Sequence, residues 1–394
     1  MNRIKTEAQI KQPYIKKLLI FFLFYFVFFS LSAEPVSVSR LNLGLNFSKN
    51  KTPDSNKKNL KLDADIDFSL RFMPCPEVYA DVGFAGEIED VITFFHPFDE
   101  KRSYALLRFF NTSLNFPYMN EKPVSLSIFL GLFDKLPSTQ LTKDFLKKKL
   151  EPPRFKEQYP AKLFLSQKAI KGLCFNIAGL PSSSVCIGGY FTWNMGTKQR
   201  QVYNAYLTFG TYSPTVLSYG FSGIQVGKSG ENNSFIGEAS LLFNPNALNQ
   251  IYIEFGFGET PFKTNLKMLA KNLYALLEAR IYSHYFTAIP SVFAAPVFEP
   301  EKTPEKQQDY FIGGNLLLAS GELNRYAAQA GVHTFFAMKP TKKKEDQAYI
   351  VSVTPFCTIK FLDCLLDARV SITPLFYKKG VSMIEGKISL RKEL

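Results

Sequence analysis

A strict alternation of apolar and polar side chains near the start of the chain is the sequence feature that most limits the fold. The apolar positions are Leu60, Leu62, Ala64, Ile66, Phe68, Leu70 and Phe72, and every residue between them is charged or polar. A period of two is typical of a β-strand with one apolar and one wet face. This strand exceeds the roughly five to six residues of an ordinary soluble strand. It is long enough to cross a bilayer, for which a tilted strand needs roughly nine to eleven residues.

The first residues predict an export signal. An uncharged apolar run from Leu18 to Leu31 ends at Ser32 and Ala33, and it follows five basic residues, which are Arg3, Lys5, Lys11, Lys16 and Lys17. This order is typical of a secretory signal peptide, so we expect residues 1–33 to be removed and residues 34–394 to form the mature protein. The run is shorter than the roughly twenty residues of a spanning helix, which weighs against the alternative of an N-terminal anchor.

The same alternation recurs along most of the remaining chain, in about eighteen candidate strands. Clear further examples are the apolar series Val124 to Leu132, Val185 to Trp193 and Leu366 to Phe376. Short links rich in Pro, Asn and Ser alternate with longer polar links, which predicts tight turns at one end of a sheet and loops at the other. The predicted fold class is all-β: a single transmembrane, antiparallel, up-and-down β-barrel with an even number of strands, about 16–18.

Two features complicate the strand count. Pro290 and Pro296 each remove a backbone donor from the candidate strand 288–298, and without this strand and its predecessor the count is about sixteen. The alternation also slips near Arg108. An arginine that faces lipid is costly, so we expect a β-bulge there that turns Arg108 inward.

Two segments have helical rather than strand periodicity. The leucines of 262–278 indicate a short amphipathic helix as an alternative to the start of a strand. Segment 139–150 lies in the long link 134–160 and carries apolar residues at helical spacing. We expect it to fold into the barrel mouth as a constriction.

The composition supports an exported barrel and excludes nucleic acid as a partner. The formal net charge is +13 and mean hydropathy is −0.05, although 15% of residues are aromatic. A barrel averages an apolar outer face with a wet interior, which accounts for the neutral hydropathy. The basic residues fall in links between strands, where they are either merely solvated or bind anionic surface ligands such as lipid or polysaccharide. They are Lys49, Lys51, Lys57, Lys58, Lys143, Lys147, Lys148, Lys149, Arg154, Lys156, Lys342, Lys343 and Lys344.

No catalytic motif is present in the sequence. His96, His284 and His333 stand far apart, and there is no HExxH, GxSxG, Walker A loop or paired CxxC. We therefore predict no enzyme, no cofactor and no metal site. The alternative is a barrel hydrolase whose triad is spread across several strands.

The cysteines offer two candidate disulfides. Cys174 and Cys186 lie symmetrically about a predicted turn and share the polar phase, while Cys357 and Cys364 are similarly placed in the apolar phase. Opposed residues of a hairpin are near enough for a bridge in an oxidising compartment. The alternative is free thiols, because a bridge requires specific geometry. Cys75 would remain unpaired at a turn.

The polar phase of the strands supplies the candidate pore-lining residues, because the interior of a large barrel is wet. They are Lys61, Asp63, Asp65, Asp67, Arg71, Glu254, Glu278, Arg280, Asp367, Arg369, Glu385 and Lys387, with Glu238 and Arg391 as further candidates. Closing the barrel brings the first and last strands together. Acids and bases there would either create a transverse field across the lumen or form a ladder of paired charges on the wall.

By pattern, residues 34–394 resemble the bacterial outer-membrane β-barrel proteins, with porins nearest in size and strand number. The resemblance implies a bacterial outer-membrane location, with membrane lipid and the barrel assembly machinery as partners. It also implies a pore for passive diffusion of small solutes. The alternatives are a surface adhesin or structural barrel with a blocked lumen, and a large soluble periplasmic β-protein. Such barrels usually end in an aromatic residue, whereas the last in-phase residues here are Ile388, Leu390 and Leu394.

Overall fold

The computed structural model describes most of the strands and only part of the connections between them. The described residues are 36–50, 59–75, 78–88, 105–116, 124–133, 142, 145–148, 150, 153–154, 170–194, 202–227, 233–262, 269–270, 272–296, 310–321, 328–339, 348–361, 364–375 and 383–393. For a few of these, including Lys61 and residues 105–111, only the backbone is described.

Eighteen strands make up the described fold. They are β1 Val36–Asn50, β2 Asn59–Cys75, β3 Val78–Ile88, β4 Ala105–Phe116, β5 Val124–Phe133, β6 Ile170–Ser182, β7 Val185–Asn194, β8 Val202–Tyr212, β9 Val216–Gly227, β10 Ser234–Phe243, β11 Asn249–Pro261, β12 Leu273–Tyr282, β13 Phe286–Pro296, β14 Tyr310–Ser320, β15 Ala328–Lys339, β16 Ala348–Phe361, β17 Cys364–Leu375 and β18 Met383–Glu393. Most exceed the length of an ordinary soluble strand.

The strands form one closed antiparallel sheet. Each strand pairs with the next along the chain, and β18 pairs with β1 from Arg40↔Glu393 to Asn50↔Met383. Closure leaves no strand with a free edge, so every backbone ladder has a partner on both sides. The predicted all-β, up-and-down barrel with an even strand number is confirmed.

Short and long connections lie at opposite ends of the barrel. At one end, here called the short-turn end, residues 183–184, 213–215, 244–248 and 283–285 join successive strands. Asn244 adopts a left-handed φ of 52° in its turn, a conformation that asparagine tolerates better than most residues. The opposite end carries the longer connections, including 134–169 between β5 and β6. The predicted alternation of turns and loops is confirmed.

Apolar side chains cover the outer surface of the barrel. Among the most exposed large residues are Ile177 at 57%, Leu207 at 56% and Val292 at 58%, each on a different strand. Their neighbours along the strand, such as Ala178, Thr208 and Ser291, are buried. The apolar phase therefore faces outward rather than toward a second sheet. Within the part of the chain that the structure describes, no helix is both long and apolar enough to span a membrane.

The strand that contains Pro290 and Pro296 is present as β13, so the alternative count of sixteen strands is wrong. β13 pairs with β14 over its whole length, and Pro290 is an exposed outward residue opposite Leu316. On the β12 side, the ladder has no pairs at Ile289 and Pro290. The missing donor of Pro290 is consistent with this gap, because proline cannot contribute an N–H to a ladder.

Of the predictions for the other irregular segments, some are confirmed and some are wrong. The pairing of β3 with β4 skips Phe110, so the bulge expected near Arg108 is present, although the side chain of Arg108 is outside the described residues. Residues 269–270 are helical, but Leu273 starts β12, so the alternative helix 262–278 is wrong from Leu273 onward. Leu273 and Leu277 are exposed on the outer face instead. The described part of β6 begins at Ile170, and residues 161–169, which the alternation also assigns to this strand, lie outside the described residues.

Neither candidate disulfide is formed. Cys174 pairs with Thr192 and Cys186 with Gly210, while Cys357 pairs with Ala368 and Cys364 with Phe361. The hairpins turn a few residues later than predicted, because their strands continue through Ser182 and Phe361. The cysteines are therefore not opposed, and all five are free thiols.

Candidate pore lumen

Charged residues line the interior of β17, β18, β1 and β2, which together are called the charged wall. Most of those whose side chains are described are partly or fully exposed, whereas Asp367 is buried at 8% exposed. The strand register aligns them in rows across the four strands. One row is Asp367, Ser389, Gly44 and Asp65, and the next is Arg369, Lys387, Asn46 and Asp63. The inward acids Asp63, Asp65 and Asp67 lie on β2, whereas β17 and β18 carry both acids and bases. Between them, β1 supplies mainly uncharged polar residues, and the Nη2 of its Arg40 lies 3.9 Å from Oδ2 of Asp67.

Asparagines of β1 donate hydrogen bonds to two acids of β2. The Nδ2 of Asn46 donates to Oδ1 of Asp65 at 2.6 Å, and the Nδ2 of Asn42 donates to Oδ2 of Asp67 at 3.4 Å. The carboxylate of Asp65 lies above Gly44, where a larger residue would collide with it. These bonds leave carboxylate oxygen surface for water, because the residues are only partly buried.

Arg71 marks the end of the charged wall nearest the short turns. Its guanidinium donates to both carboxylate oxygens of Asp81 on β3, at 2.9 and 3.0 Å, and lies 4.2 Å from the ring centroid of Tyr79. The opposed acids and bases expected across the lumen are instead neighbours on one side of it. The side chain of Lys61 is outside the described residues.

Buried aromatic and aliphatic residues fill the opposite side, called here the aromatic half, which β9 to β15 form. Its members include Leu217, Tyr219, Tyr252, Tyr274, Leu276, Phe293 and Phe335, each at most 4% exposed. The rings of Phe293 and Phe335 stack with centroids 5.5 Å apart. These residues occupy inward positions, so their burial shows that this side of the lumen is packed with side chains.

Carboxylates lie inside the aromatic half and bond to its tyrosines. The hydroxyl of Tyr252 donates to Oε2 of Glu254 at 2.6 Å, and the hydroxyl of Tyr274 donates to Oε2 of Glu238 at 2.6 Å. Tyr274 crosses β11 at Gly256, where a Cβ atom would lie 2.7 Å from its hydroxyl oxygen. The glycine is needed because it lets the ring reach from β12 to β10.

A buried ion pair completes this network. The Nε of Arg280 lies 2.7 Å from Oε1 of Glu278, and the Arg280 guanidinium is 4.8 Å from the ring centroid of Tyr252. Glu254, Glu278 and Arg280 point inward, as the alternation predicts. They are nevertheless 0%, 3% and 5% exposed, so they contact protein and not an aqueous path.

Part of the long connection between β5 and β6 lies inside the barrel, and its described residues are called the strap: Thr142, Phe145, Leu146, Lys147, Lys148, Leu150, Pro153 and Arg154. Its first part packs against β6, β7 and β8 near the short-turn end. Leu146 contacts Ala178 and Cys186, and a Cβ atom on Gly210 would lie 2.7 Å from Thr142. Lys147 adopts a left-handed φ of 53°, and the Lys148 N–H donates to the Thr142 carbonyl at 3.2 Å.

The middle of the strap packs against the aromatic half. Leu150 is 3% exposed and belongs to the same buried cluster as Leu217 and Tyr252. The Nζ of Lys148 lies 4.7 Å from the ring centroid of Tyr212 and donates to Oδ1 of Asn246 at 3.4 Å. Tyr212 and Asn246 both lie at short turns.

The last part of the strap contacts β15, β16 and β17. The Nη1 of Arg154 donates to Oε1 of Gln329 at 3.1 Å, its Nη2 donates to Thr358, and Nη2 lies 3.6 Å from Oδ2 of Asp367. The guanidinium also lies 4.3 Å from the ring centroid of Phe356. Burial lowers the pKa of Arg154 below its usual value, and the charge of Asp367 acts in the opposite direction.

The strap corrects two expectations about the link 134–160. Thr142, Phe145 and Leu146 have helical backbone, but they lie at the short-turn end rather than at the mouth. Lys148 and Arg154 were expected to be solvated or to bind surface ligands, and they contact residues of the barrel instead. The available signal was the helical spacing of Leu141, Phe145, Leu146 and Leu150 in the link. The other basic residues of the links, except Lys147, lie outside the described side chains.

The structure describes two of the three histidines. His333 is a buried inward residue of β15, His284 lies in a short turn, and His96 is outside the described residues. No group of three or more potential metal ligands comes together within the described ranges.

The barrel is similar to solved structures of bacterial porins. It matches OccK2 (OpdF) of Pseudomonas aeruginosa with a TM-score of 0.54 at 7% identity, over 91% of this chain and 97% of that one. It matches Acinetobacter baumannii OccAB4 with a TM-score of 0.53 at 9% identity, over 90% and 96% of the two chains. For Pseudomonas aeruginosa OpdL the TM-score is 0.52 at 10% identity, over 91% and 98%.

These structural neighbours are bacterial outer-membrane porins, so the chain has a porin-like fold. No family model matches the sequence, and neither does any curated protein sequence. The similarity therefore concerns the fold.

Proposed function

We propose that this protein is a bacterial outer-membrane pore for passive diffusion of small, hydrophilic solutes. The observation that carries the proposal is a closed barrel of eighteen strands with apolar residues outside and partly exposed charges inside. Barrels of this size enclose an aqueous channel, whereas barrels of about eight strands are filled by their own side chains. The porin structures that share the fold support the same function.

The path for solutes follows the charged wall. Leu150 packs against the buried residues of the aromatic half, so we place the path for water and solute beside β17, β18, β1 and β2, where described charged side chains are partly exposed. Glu385 and Arg391 are exposed there, while Asp63, Asp65 and Lys387 are partly exposed. Because acids and bases occupy neighbouring strands, a polar solute meets both signs of charge along one wall. The channel thus filters by width and by charge.

The partners of the protein follow from the same architecture. The apolar outer face contacts outer-membrane lipid, and the barrel assembly machinery inserts the chain after residues 1–33 are removed as a signal peptide. The remaining basic links face anionic surface ligands. No catalytic residue, cofactor or nucleic acid has a part in this function.

Single-channel recording in planar lipid bilayers tests the proposal. The purified protein, shown to be folded by its heat-modifiable migration in SDS gels, is expected to produce stepwise openings. Neutral polymers of increasing size should stop reducing the conductance once they no longer enter the lumen. A folded barrel without channel steps would refute the pore and favour the adhesin or structural barrel. Solubility without detergent would instead indicate a soluble periplasmic protein.

A further inference from the structure

We infer that the barrel wall opens locally between β16 and β17, at a gap in the strand pairing beside Pro355 that is called the seam. These strands pair at Val353↔Ile372 and again at Phe356↔Arg369, but not at the positions between. The register of the two strands also shifts by one residue close to this gap. The inference concerns the sheet itself and goes beyond the proposed function.

Proline accounts for the gap in the ladder. Pro355 is exposed on the outer face and pairs with Val332 of β15 in a continuous ladder, so its missing N–H lies on the β17 side. By register it falls opposite Val370, whose carbonyl cannot receive an N–H from position 355. An unpaired carbonyl is costly in lipid. Separation of the strands on the lumen side lets water supply the donor that the closed ladder lacks.

Polar side chains, rather than a packed core, lie behind the seam. The hydroxyl of Thr354 donates to Oγ of Ser371 at 3.1 Å, across the gap. Of the described side chains of β17, only Asp367 is buried, and no buried apolar cluster in the described part of the chain includes a residue of this strand. Phe356 belongs to a cluster with residues of β13 and β14, on the other side of β16. The seam therefore lacks apolar packing as well as ladder pairs.

A second proline gap provides a comparison within the same barrel. Pro290 interrupts the ladder between β12 and β13. In this ladder Leu276 pairs with Phe293, and both belong to the buried cluster of the aromatic half. The buried ion pair of Arg280 with Glu278 lies beside the same gap. Packing holds these strands together, so only the gap beside the charged wall is expected to open.

The seam borders the path that we propose for solutes. Arg369 and Ser371 are inward residues of β17 and are partly exposed. Separation of β17 from β16 displaces both side chains and changes the width of the path beside them. This consequence rests on the proposed function, whereas the opening of the seam does not.

Hydrogen exchange in lipid nanodiscs, followed by peptide mass spectrometry, tests the seam without relying on conduction. The amides of residues 368–372 should exchange at least roughly tenfold faster than those of residues 386–390 on β18. Residues 386–390 face the same charged wall, but their pairs with β17 and β1 are continuous. The comparison therefore separates the effect of the gap from that of a wet lumen.

Two proline replacements provide the matched variants. Pro355→Val restores an N–H and keeps an apolar side chain on the outer face, so it should slow exchange of residues 368–372 at least roughly threefold. Pro290→Val makes the same change at the packed gap and should leave exchange of residues 368–372 unchanged.

A disulfide across the seam supplies an independent readout. In Thr354→Cys/Ser371→Cys the new thiols replace two hydroxyls that bond to each other, and opposed residues of neighbouring strands are near enough for a bridge. Oxidation, verified by mass spectrometry of the linked peptides, should slow exchange of residues 368–372 relative to the reduced form. The control Ser371→Cys/Glu385→Cys bridges the continuous ladder between β17 and β18, so its oxidation should leave that exchange unchanged.

The outcomes separate the seam from the pore. Equal protection of residues 368–372 and 386–390, or exchange that Pro355→Val does not slow, would overturn the seam even if the protein conducts. Fast exchange that Pro355→Val slows, in a folded barrel without channel steps, would retain the seam and refute the pore.

Discussion

The charged wall and the aromatic half face each other inside one barrel, but their polar residues differ in exposure to solvent. On the charged wall, Asp65 and Lys387 keep part of their surface for solvent. In the aromatic half, Glu254 and Glu238 are buried and each accepts a hydrogen bond from a tyrosine. The same alternation of apolar and polar residues along the strands turns the side chains of both regions inward. The difference shows that an inward position in a large barrel is not in itself a pore-lining position.

The physical reason for the difference is the residue that lies opposite or beside each acid. Asp65 has small or polar neighbours on β1, namely Gly44 and Asn46. Glu254 lies among Tyr252, Leu276 and Ser240. Large rings exclude water, and a buried carboxylate must then find protein donors. Aromatic residues at inward positions thus convert part of a lumen into a core.

Replacing Arg280 should have the largest effect on stability. Arg280→Met leaves Glu278 buried without its cation, and breaking a buried ion pair costs about 3–5 kcal/mol of unfolding free energy. The double variant Glu278→Leu/Arg280→Met should recover most of this loss, because two apolar side chains replace the pair. Urea unfolding in lipid, followed by fluorescence of the single tryptophan Trp193, measures both.

The charged wall provides the control for this prediction. Asp65→Asn removes a partly exposed charge and should change the unfolding free energy by less than about 1 kcal/mol. A similar loss of unfolding free energy for Asp65→Asn and Arg280→Met would show that the charged wall and the aromatic half are not physically different.

Two glycines allow a matched test with one added methyl group each. At Gly256 a Cβ atom would lie 2.5 Å from the carbonyl oxygen of Gly237 and 2.7 Å from the hydroxyl of Tyr274. Both are fixed by packing, so Gly256→Ala should cost about 1–3 kcal/mol of unfolding free energy.

At Gly44 the three atoms nearest to the added Cβ all belong to the carboxylate group of Asp65, which ends a side chain and can rotate away. Gly44→Ala should therefore be neutral within about 1 kcal/mol, since alanine also suits a strand better than glycine. The same urea titration compares the two variants. Equal destabilisation would mean that the charged wall is as tightly packed as the aromatic half.

The smallest expected free-energy effect concerns ion selectivity. Asp63→Asn, Asp65→Asn and Asp67→Asn together should shift the reversal potential in a salt gradient toward anions, because the bases of β17 and β18 remain. The shift should shrink in 1 M salt, where the screening length falls to about 3 Å from about 10 Å at 0.1 M. Glu254→Gln removes an inward but buried acid and should leave selectivity unchanged. A shift as large as that of the triple variant would place Glu254 on the solute path.

The barrel itself was predictable because a period of two needs only local residues. The alternation at 60–72 identifies strand and face without knowledge of any partner, and the contrast of short and long links identifies the two ends. The bulge near Arg108 was predictable for the same reason, since the phase slips in the sequence itself.

The register and the strap were not predictable, because they depend on residues far along the chain. The hairpins of Cys174 and Cys357 extend further than the turn residues indicate, which separates the expected cysteine pairs. Leu146 and Leu150 look like one face of a helix, and periodicity does not say where that face binds. Whether Glu254 meets water or tyrosine likewise depends on β10 and β12 as much as on β11.

The strap also has a consequence for the order in which the molecule assembles. Arg154 precedes Gln329 by 175 positions and Thr358 by 204. Contacts between such distant parts of a chain form late, since each requires a large loop to close first. A partly formed sheet that lacks its final strands therefore leaves Arg154 without these partners. The strap takes its final position only when the barrel closes.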